Sequence, residues 1–535
     1  MPPPAGTGDR RLRDWRLLYP LVFALWPPLS FYAHNIDHFR LDVLWLPLLV
    51  SLGVAAILQG LVLATVRQPS LAAFKTFGFL CLLFAGGRVC LALRGTPLPG
   101  TSMDVGVLVA GATLLLALLA LAARPPRGFD RLPAALALFC VALVAQPTWT
   151  IVAVELARAR LTLHRTAAIE PARAVATFPH IFYLVLDGYA REDVLRDLYG
   201  HDNRPFLDGL RSRGCYVASS AVANYPQTAL SLASSLNLDY LDEWVAGLAP
   251  GSSDRHVLSE AIGRSRLVEA LRASGYTFVA FSSGYGVAEA RSADRFESLA
   301  DSEAPLEFWR GFLASTPVPD LVSLPALVAA GEELHRRGVL YTFDRLGPLA
   351  RFPGPLFVLA HVIAPHPPFV FDARGRLPPG PRASFTLSDG EAWRANNRKV
   401  GEDYRRAYVA QLQFVNSRTL EAVGAIQAEA SRPVVILVQG DHGPGSELDR
   451  DSAERTNLRE RLAILSAYCF PDGDFAGLYA GISPVNSFRV VLNRYLGRQV
   501  PLLPDRAYFA TWSRPYDFKI LRALPDGGLA VASPP

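Results

Sequence analysis

The uneven distribution of apolar residues constrains the fold of this chain more than any other feature. Five apolar stretches lie within the first 160 or so of its 535 residues, and each has the roughly 20 residues needed to cross ~30 Å of hydrocarbon. The stretches are 16–33, 42–66, 71–93, 104–123 and 132–157. We therefore predict a transmembrane region of about five helices over 1–158, a juxtamembrane linker over 159–177 and a large extracytoplasmic domain over 178–535.

Arginine and lysine in the short loops predict the orientation of this region. They are concentrated in the N-terminal tail and in the second-to-third and fourth-to-fifth loops, as Arg10, Arg11, Arg13, Arg16, Arg67, Lys75, Arg124, Arg127 and Arg131. The opposite side has only Arg40 and Arg94. We expect a multi-pass protein of the inner (plasma) membrane whose large domain is periplasmic or otherwise extracytoplasmic. A signal peptide is the alternative for the first stretch, but no small-residue cleavage site follows it.

Charge and cysteine content exclude some functions. The formal net charge is +5, and much of the excess lies in the predicted inside loops, so we do not expect nucleic-acid binding. Three of the five cysteines fall in apolar stretches, where they are expected to act as small apolar side chains. Cys215 and Cys469 are predicted to lie on the oxidising side of the membrane, where they could pair, but their spacing does not decide it.

Continuous apolar runs in the large domain are typical of strands buried on both faces of a sheet. They lie at 181–186, 276–281, 355–361 and 433–439, and helix-like segments at 203–213, 257–273 and 402–428 lie between them. This alternation predicts a doubly wound α/β domain.

Polar residues of metal-binding type follow several of these strands. Asp187 follows the first strand, His361 ends the third with His366 shortly after it, and Asp441 and His442 follow the fourth. Ligands bind beyond the carboxyl ends of strands in such sheets, so these side chains are predicted to meet at one edge. A helix cap or a polar turn is the alternative for any one of them taken alone.

Thr228 is the candidate nucleophile. It follows the turn-like Asn-Tyr-Pro of 224–226 and opens an apolar helix, where free N–H groups favour an anion. A metal-bound hydroxyl is a competent nucleophile near neutral pH. The alternatives are a threonine that only caps its helix, and Ser231 as the nucleophile one turn further on.

Three features together resemble the alkaline phosphatase superfamily: a first strand ending in Asp187, a helix opened by Thr228, and the late "GDHG" of 440–443. With the N-terminal apolar stretches, the chain looks like lipoteichoic acid synthase and the lipid A phosphoethanolamine transferases, which are membrane-anchored and sulfatase-like. The segment "HVIAPHPPF", 361–369, is similar to a two-histidine segment of those transferases, and "RLAILSAYCFPDG", 461–473, is similar to the tail of membrane sulfatase-like proteins.

The resemblance implies one divalent ion, zinc or manganese, held by Asp187, Thr228, Asp441 and His442, with Thr228 becoming phosphorylated. It implies that His366 contacts substrate or donates a proton, and that His361 is its companion in substrate binding. Two departures matter. The transferases have a glutamate where this chain has Asp187, and the second histidine that many of them place about a dozen residues after the Asp-His pair is absent. One metal ion is therefore expected rather than two.

The predicted function is transfer of a phospho-head-group, of phosphoethanolamine or phosphoglycerol type, from a membrane phospholipid donor to an envelope glycan or lipid acceptor. A metal-dependent phosphodiesterase or phosphatase of the same superfamily is the first alternative, and a non-catalytic membrane binding protein is the second. The C/S-x-P-x-R motif of formylglycine sulfatases is absent, so we expect phosphoester rather than sulfate ester chemistry.

Overall fold

A computed structural model describes most of the chain. The described residues are 17–93, 132–160, 177–248, 251–299, 308–309, 311–313, 316, 324–378, 389–390, 400–524 and 528–532. Two compact units are present, one formed by 1–161 with 304–327 and the other by 162–303 with 328–535.

Helices make up the described part of the first unit. They are α1 (Tyr19–His34), α2 (Trp45–Val66, preceded by a 3₁₀ turn at Leu41–Leu44), α3 (Pro69–Leu93) and α4 (Leu132–Arg160). Two segments, Leu41–Val66 and Leu132–Arg158, are long and apolar enough to cross a membrane, and few of their residues are buried. This indicates a membrane region but does not confirm five crossings, because the stretch predicted at 104–123 lies outside the described residues.

A segment from much later in the chain completes the core of this first unit. Phe308 packs edge-on against Phe31 of α1 with 5.1 Å between ring centroids, and Phe312 lies 6.3 Å from Phe84 of α3. Both Phe308 and Phe312 are buried. The sequence predicts that these residues belong to the extracytoplasmic domain, because nothing in their local pattern distinguishes them from its other loops.

The second unit contains a mixed seven-stranded sheet. Its strands are β1 (His180–Leu186), β2 (Cys215–Val217), β3 (Thr277–Phe281), β4 (Arg295–Glu297), β5 (Leu356–Val362), β6 (Val434–Gln439) and β7 (Ser466–Cys469). They are ordered β2-β7-β6-β1-β5-β3-β4. Pairing is parallel from β6 to β4, whereas β7 runs antiparallel to both β6 and β2. The α/β prediction is confirmed, but the sheet is mixed rather than wholly parallel.

Along the chain, the helices of this unit alternate with the strands, and a small second sheet follows near the C-terminus. They are α5 (Glu192–Tyr199), α6 (Arg204–Arg211), α7 (Thr228–Asn237), α8 (His256–Gly263), α9 (Arg266–Ala273), α10 (Leu324–Leu349), α11 (Val400–Glu429), α12 (Leu458–Leu462) and α13 (Pro484–Tyr495), with a 3₁₀ turn at Gly286–Ala288. The three-stranded antiparallel sheet contains β8 (Ala507–Phe509), β9 (Lys519–Ala523) and β10 (Leu529–Val531).

The central position of β1 in the sheet explains why its sequence is continuously apolar. Ile181, Tyr183 and Val185 pack in the core on one face of the sheet. Phe182, Leu184 and Leu186 pack in the core on the other face. Because side chains alternate between faces, a strand covered by helices on both sides needs an apolar residue at every position.

A disulfide joins the two strands at one edge of the sheet. Cys215 of β2 and Cys469 of β7 are paired in register and bonded, although 254 residues separate them in the chain. The antiparallel placement of β7 beside β2 is what brings them together. The two cysteines therefore pair, which their spacing in the sequence does not decide.

Candidate metal and nucleophile site

The strand order brings the predicted ligands to one edge of the sheet. Val185 of β1 is paired with His361 on one side and with Gln439 on the other. Asp187 and Asp441 each lie two residues beyond these paired positions, so both follow neighbouring strands at the same height. The edge predicted from the sequence therefore exists, with β1 at its centre.

Two glycines allow the chain to turn here with Asp441 and His442 between them. A Cβ atom on Gly440 would lie 2.6 Å from the carbonyl oxygen of Tyr189, and one on Gly443 would lie 2.0 Å from that of Glu460. Neither distance is possible for a side-chain carbon. The "GDHG" pattern thus reflects two close backbone contacts around the pair of polar residues.

Three buried side chains form a cluster able to hold a cation, which we call the acidic cluster: Asp187, His361 and Asp441. Their ligand atoms lie within 4.8 Å of one another. Asp187 Oδ1 and Asp441 Oδ2 are buried without a hydrogen-bond partner among the described residues. Buried polar atoms are normally paired, and two carboxylates of one cluster that each have an unpaired oxygen fit a divalent cation. The residues present therefore fit the metal ion that the sequence predicts.

His442 lies beside this cluster in a form suited to metal binding. Its Nε2 is 3.4 Å from Asp441 Oδ2 and 3.6 Å from Asp187 Oδ1, while its Nδ1 lies 2.9 Å from the carbonyl oxygen of Gly443. Burial, together with the charge of Arg461, lowers the pKa of His442 to about 3. The ring is therefore neutral at pH 7, and with Nδ1–H donating to Gly443 the Nε2 lone pair is directed to the cluster.

The Thr228 hydroxyl lies next to Asp187 of the acidic cluster and next to His442. Its Oγ1 lies 3.1 Å from His442 Nε2 and 3.4 Å from Asp187 Oδ2. The N-cap position of α7 is taken by Gln227 in an extended conformation, and Thr228 makes no capping hydrogen bond in the described part of the chain. The alternative nucleophile Ser231 instead donates to the carbonyl oxygen of Tyr225 at 2.9 Å. The geometry favours Thr228 over both alternatives considered for this helix.

The two histidines of 361–369 occupy different environments. His361 Nε2 lies 3.1 Å from Asp187 Oδ2, so it contacts a metal-ligand carboxylate. His366 Nε2 lies 3.5 Å from Asp389 Oδ2, and its backbone N–H donates to the Asp187 carbonyl oxygen. Burial by itself lowers the pKa of His366, but the carboxylates of Asp187 and Asp389 outweigh it and raise that pKa to about 9. A protonated imidazole suits the predicted donor role of His366, while substrate binding by His361 stays a prediction.

A second group, absent from the sequence prediction, lies next to the first, and we call it the arginine cluster: Asp389, Tyr404 and Arg461. Asp389 forms an ion pair with Arg461 and accepts a 2.8 Å hydrogen bond from Tyr404. Burial by itself raises the pKa of Asp389, but the charges of His366 and Arg461 hold it well below its usual range. No local pattern identifies these residues, because they come from three separate segments with no characteristic spacing.

Comparison with known proteins gives matches only at the level of structure. No family model and no curated protein matches the chain. Among solved structures, the C-terminal periplasmic domain of EcEptC from Escherichia coli, in complex with zinc, is 13% identical with a TM-score of 0.42 over 68% of this chain and 96% of that chain. The integral membrane lipooligosaccharide phosphoethanolamine transferase A from Neisseria meningitidis is 13% identical with a TM-score of 0.41 over 92% of this chain and 96% of that chain. The putative sulfatase yidJ from Bacteroides fragilis is 13% identical with a TM-score of 0.37 over 65% of this chain and 85% of that chain.

These solved structures are of the classes that the sequence resemblance names, phosphoethanolamine transferases and sulfatases. At these identities and TM-scores the likeness assigns no activity to this chain, so its function has to follow from the geometry of its own site.

Proposed function

We propose that this protein is a membrane-anchored, metal-dependent transferase that moves a phospho-head-group from a lipid donor to an extracytoplasmic acceptor through a phosphorylated Thr228. The observation that carries the proposal is the position of the Thr228 hydroxyl. It is buried at the first turn of a helix, within 3.4 Å of Asp187 and His442 and beside two unpaired carboxylate oxygens. A hydroxyl with only a structural role would be expected to cap its helix or to contact the backbone.

Each residue of the site has a distinct part in this proposal. Asp187, Asp441, His442 and Thr228 would hold one divalent ion, zinc or manganese, which when bound supplies a Lewis acid that lowers the pKa of a hydroxyl and offsets phosphoryl charge. His361 orients the Asp187 carboxylate through their 3.1 Å contact. The free N–H groups at the start of α7 favour an anionic group next to Thr228.

The proton balance gives His366 its role. Thr228 Oγ forms a bond to phosphorus while the bond from phosphorus to the lipid alcohol breaks, so the departing oxygen has to gain a proton. Burial lowers the pKa of His366, but the carboxylates of Asp187 and Asp389 raise it, and His366 is proposed to give this proton. Thr228 gives its hydroxyl proton to solvent as its oxygen bonds to phosphorus. In the second half-reaction the acceptor hydroxyl attacks phospho-Thr228 and its proton restores His366, while the Thr228 oxygen leaves phosphorus and takes a proton back from solvent.

The location of the catalytic unit is part of the proposal. Exposed apolar helices would anchor the protein at the membrane, which holds the donor lipid close to the site. The Cys215–Cys469 disulfide supports an oxidising compartment such as the periplasm, because such bonds are rare on the cytoplasmic side. An envelope glycan or lipid in that compartment is the proposed acceptor.

The proposal is tested by trapping the covalent adduct expected on Thr228. The full chain, loaded with Mn²⁺ or Zn²⁺, is incubated with vesicles containing phosphatidylethanolamine and phosphatidylglycerol, and peptides containing residue 228 are analysed by mass spectrometry. We expect phosphoethanolamine or phosphoglycerol on Thr228, and none in Thr228→Ala. Absence of any adduct on the wild-type residue would overturn the catalytic proposal and favour a binding protein.

A second arm separates transfer from hydrolysis. The same reaction is run with and without membranes that carry acceptors, and both the free head group and the modified acceptor are measured. Modified acceptor supports the transferase. Release of free head group alone, at the same rate with and without acceptor membranes, would assign the protein as a phosphodiesterase.

A further inference from the structure

Arg461 lies closer to the reacting centre than any sequence pattern indicates. It is on the short helix α12, 19 residues after His442, and only 6% of it is exposed. Its NH2 nitrogen lies 3.2 Å from His442 Nε2, the same atom that contacts Thr228 Oγ1. A buried positive charge is therefore held next to the histidine that contacts the proposed nucleophile.

The donor groups of Arg461 separate into two sets. A guanidinium has five N–H donors: one on Nε and two on each terminal nitrogen. Nε donates to the Pro226 carbonyl oxygen at 2.8 Å, and NH1 donates to Asp389 and to the Gly443 carbonyl oxygen. Those two nitrogens are fully committed to holding the side chain in place. NH2 has one contact among the described residues, the one with His442 Nε2.

That one contact is not available when His442 binds a cation. Nε2 has a single lone pair, and a metal ion bound there occupies it. Both N–H donors of NH2 are then left in a buried site without an acceptor among the described residues. Buried donors of a charged group are paired in stable proteins, so a ligand oxygen is the partner they require.

The surroundings favour an oxyanion as that partner. The Nε bond to Pro226 fixes Arg461 to the turn that immediately precedes Thr228. Arg461 also lines a small pocket with Pro226, Gln227, Arg450 and Trp512. Arg450 adds a second positive charge there, with its guanidinium carbon 5.0 Å from the Trp512 ring centroid. Planar guanidinium groups are well matched to the oxygens of a phosphate.

We propose that Arg461 binds a non-bridging oxygen of the phosphoryl group through NH2, both in the donor substrate and in phospho-Thr228. This inference rests on the proposed function and adds a catalytic residue to it. Arg461 would supply next to Thr228 the positive charge that a second metal ion supplies in two-metal sites. It would also account for a site that lacks the second histidine expected from the resemblance.

The test compares two arginines of the same short helix. Arg461→Gln removes the charge at the site, whereas Arg459→Gln is the matched control, because Arg459 pairs with Asp193 and Asp197 instead. Binding of inorganic phosphate to the Mn²⁺-loaded full chain is measured by calorimetry, and manganese content by elemental analysis. We expect Arg461→Gln to weaken phosphate binding about 10- to 100-fold without loss of manganese, and Arg459→Gln to leave both unchanged.

Further variants keep the outcome decisive. If Arg461→Gln does not fold, Arg461→Lys retains the charge but not the fork of donors, and is expected to bind phosphate less tightly than wild type. Equal phosphate affinity in wild type and a folded Arg461 variant overturns the inference, as does a wild type that binds no phosphate. If Thr228 nevertheless becomes modified in the vesicle assay, the proposed function survives that failure.

Discussion

The acidic cluster and the arginine cluster are adjacent, yet they differ in how completely folding pairs their polar atoms. In the acidic cluster, Asp187 Oδ1 and Asp441 Oδ2 have no hydrogen-bond partner among the described residues. In the arginine cluster, Asp389 accepts from Tyr404 through Oδ1 and forms its ion pair with Arg461 through Oδ2. Folding alone therefore gives both oxygens of the Asp389 carboxylate a partner. The unpaired oxygens of Asp187 and Asp441 gain a partner only when a ligand binds.

Because of this difference, a substitution in one cluster should affect the stability of the fold and a substitution in the other should affect ligand binding. Removing one partner from a paired buried cluster leaves an uncompensated charge and destabilises the fold. Removing a charge from the orphan cluster relieves mutual repulsion in the metal-free protein and instead weakens ligand binding. Replacing an aspartate in one cluster and in the other should therefore have opposite effects on the stability of the metal-free protein.

The largest expected effect is on turnover, at Thr228. Thr228→Ala removes the proposed nucleophile, so we expect transfer activity to fall by ~10³-fold or more, with no covalent adduct. Thr228→Ser is the control, because it keeps a hydroxyl at the same place, and it should retain measurable adduct. Activity of the alanine variant close to wild type would remove Thr228 from the mechanism.

The next largest effect is on the stability of the metal-free protein, which should differ between substitutions in the two clusters. Asp389→Asn should lower the free energy of unfolding of the metal-free protein by about 3 to 5 kcal/mol, because Arg461 is left buried without its counter-charge. Asp441→Asn should cause no loss, or a small gain, since one of its oxygens has no partner to lose. Urea denaturation in the presence of a chelator measures both. Equal destabilisation by the two variants would contradict the distinction.

Metal binding should stabilise the protein through Asp187, Asp441 and the other proposed ligands, and not through Asp389. At a free metal concentration about 100 times the dissociation constant, the free energy of unfolding should rise by about 2.7 kcal/mol. Thermal denaturation with Zn²⁺ or Mn²⁺ measures this rise. It should disappear in Asp441→Asn and persist in Asp389→Asn, and persistence in both would place the metal ion elsewhere.

The smallest effect should come from Tyr404. Its hydroxyl donates to Asp389 Oδ1 at 2.8 Å and accepts from the Gly445 backbone N–H at 3.2 Å. Tyr404→Phe should cost about 1.5 kcal/mol of stability and leave metal content unchanged. Metal content and the unfolding midpoint can be followed in one preparation, and a loss of metal would mean that the clusters are coupled more tightly than their contacts indicate.

Much of the fold and half of the site could be predicted from local sequence. The apolar runs that became β1, β3, β5 and β6 were recognisable because a strand buried on both faces has no polar position. Asp187, Asp441 and His442 could be predicted because they directly follow those strands, and parallel strands end at one edge of a sheet. Thr228 was recognisable at the start of an apolar helix. In each case the informative neighbours are within a few residues along the chain.

The rest depended on contacts between distant segments. Arg459 and Arg461 are two positions apart in "LRERL", and nothing in that sequence indicates which one pairs with surface aspartates and which contacts His442. Asp389 becomes a partner of Arg461 from 72 residues away. Cys215 meets Cys469 only because β7 is antiparallel to β2. The sequence by itself determined the strands and the ligands that follow them, since those depend on local periodicity. Tertiary structure decided which buried carboxylate oxygens are paired and which have no protein partner among the described residues, because pairing depends on which distant segments meet beyond the end of β6.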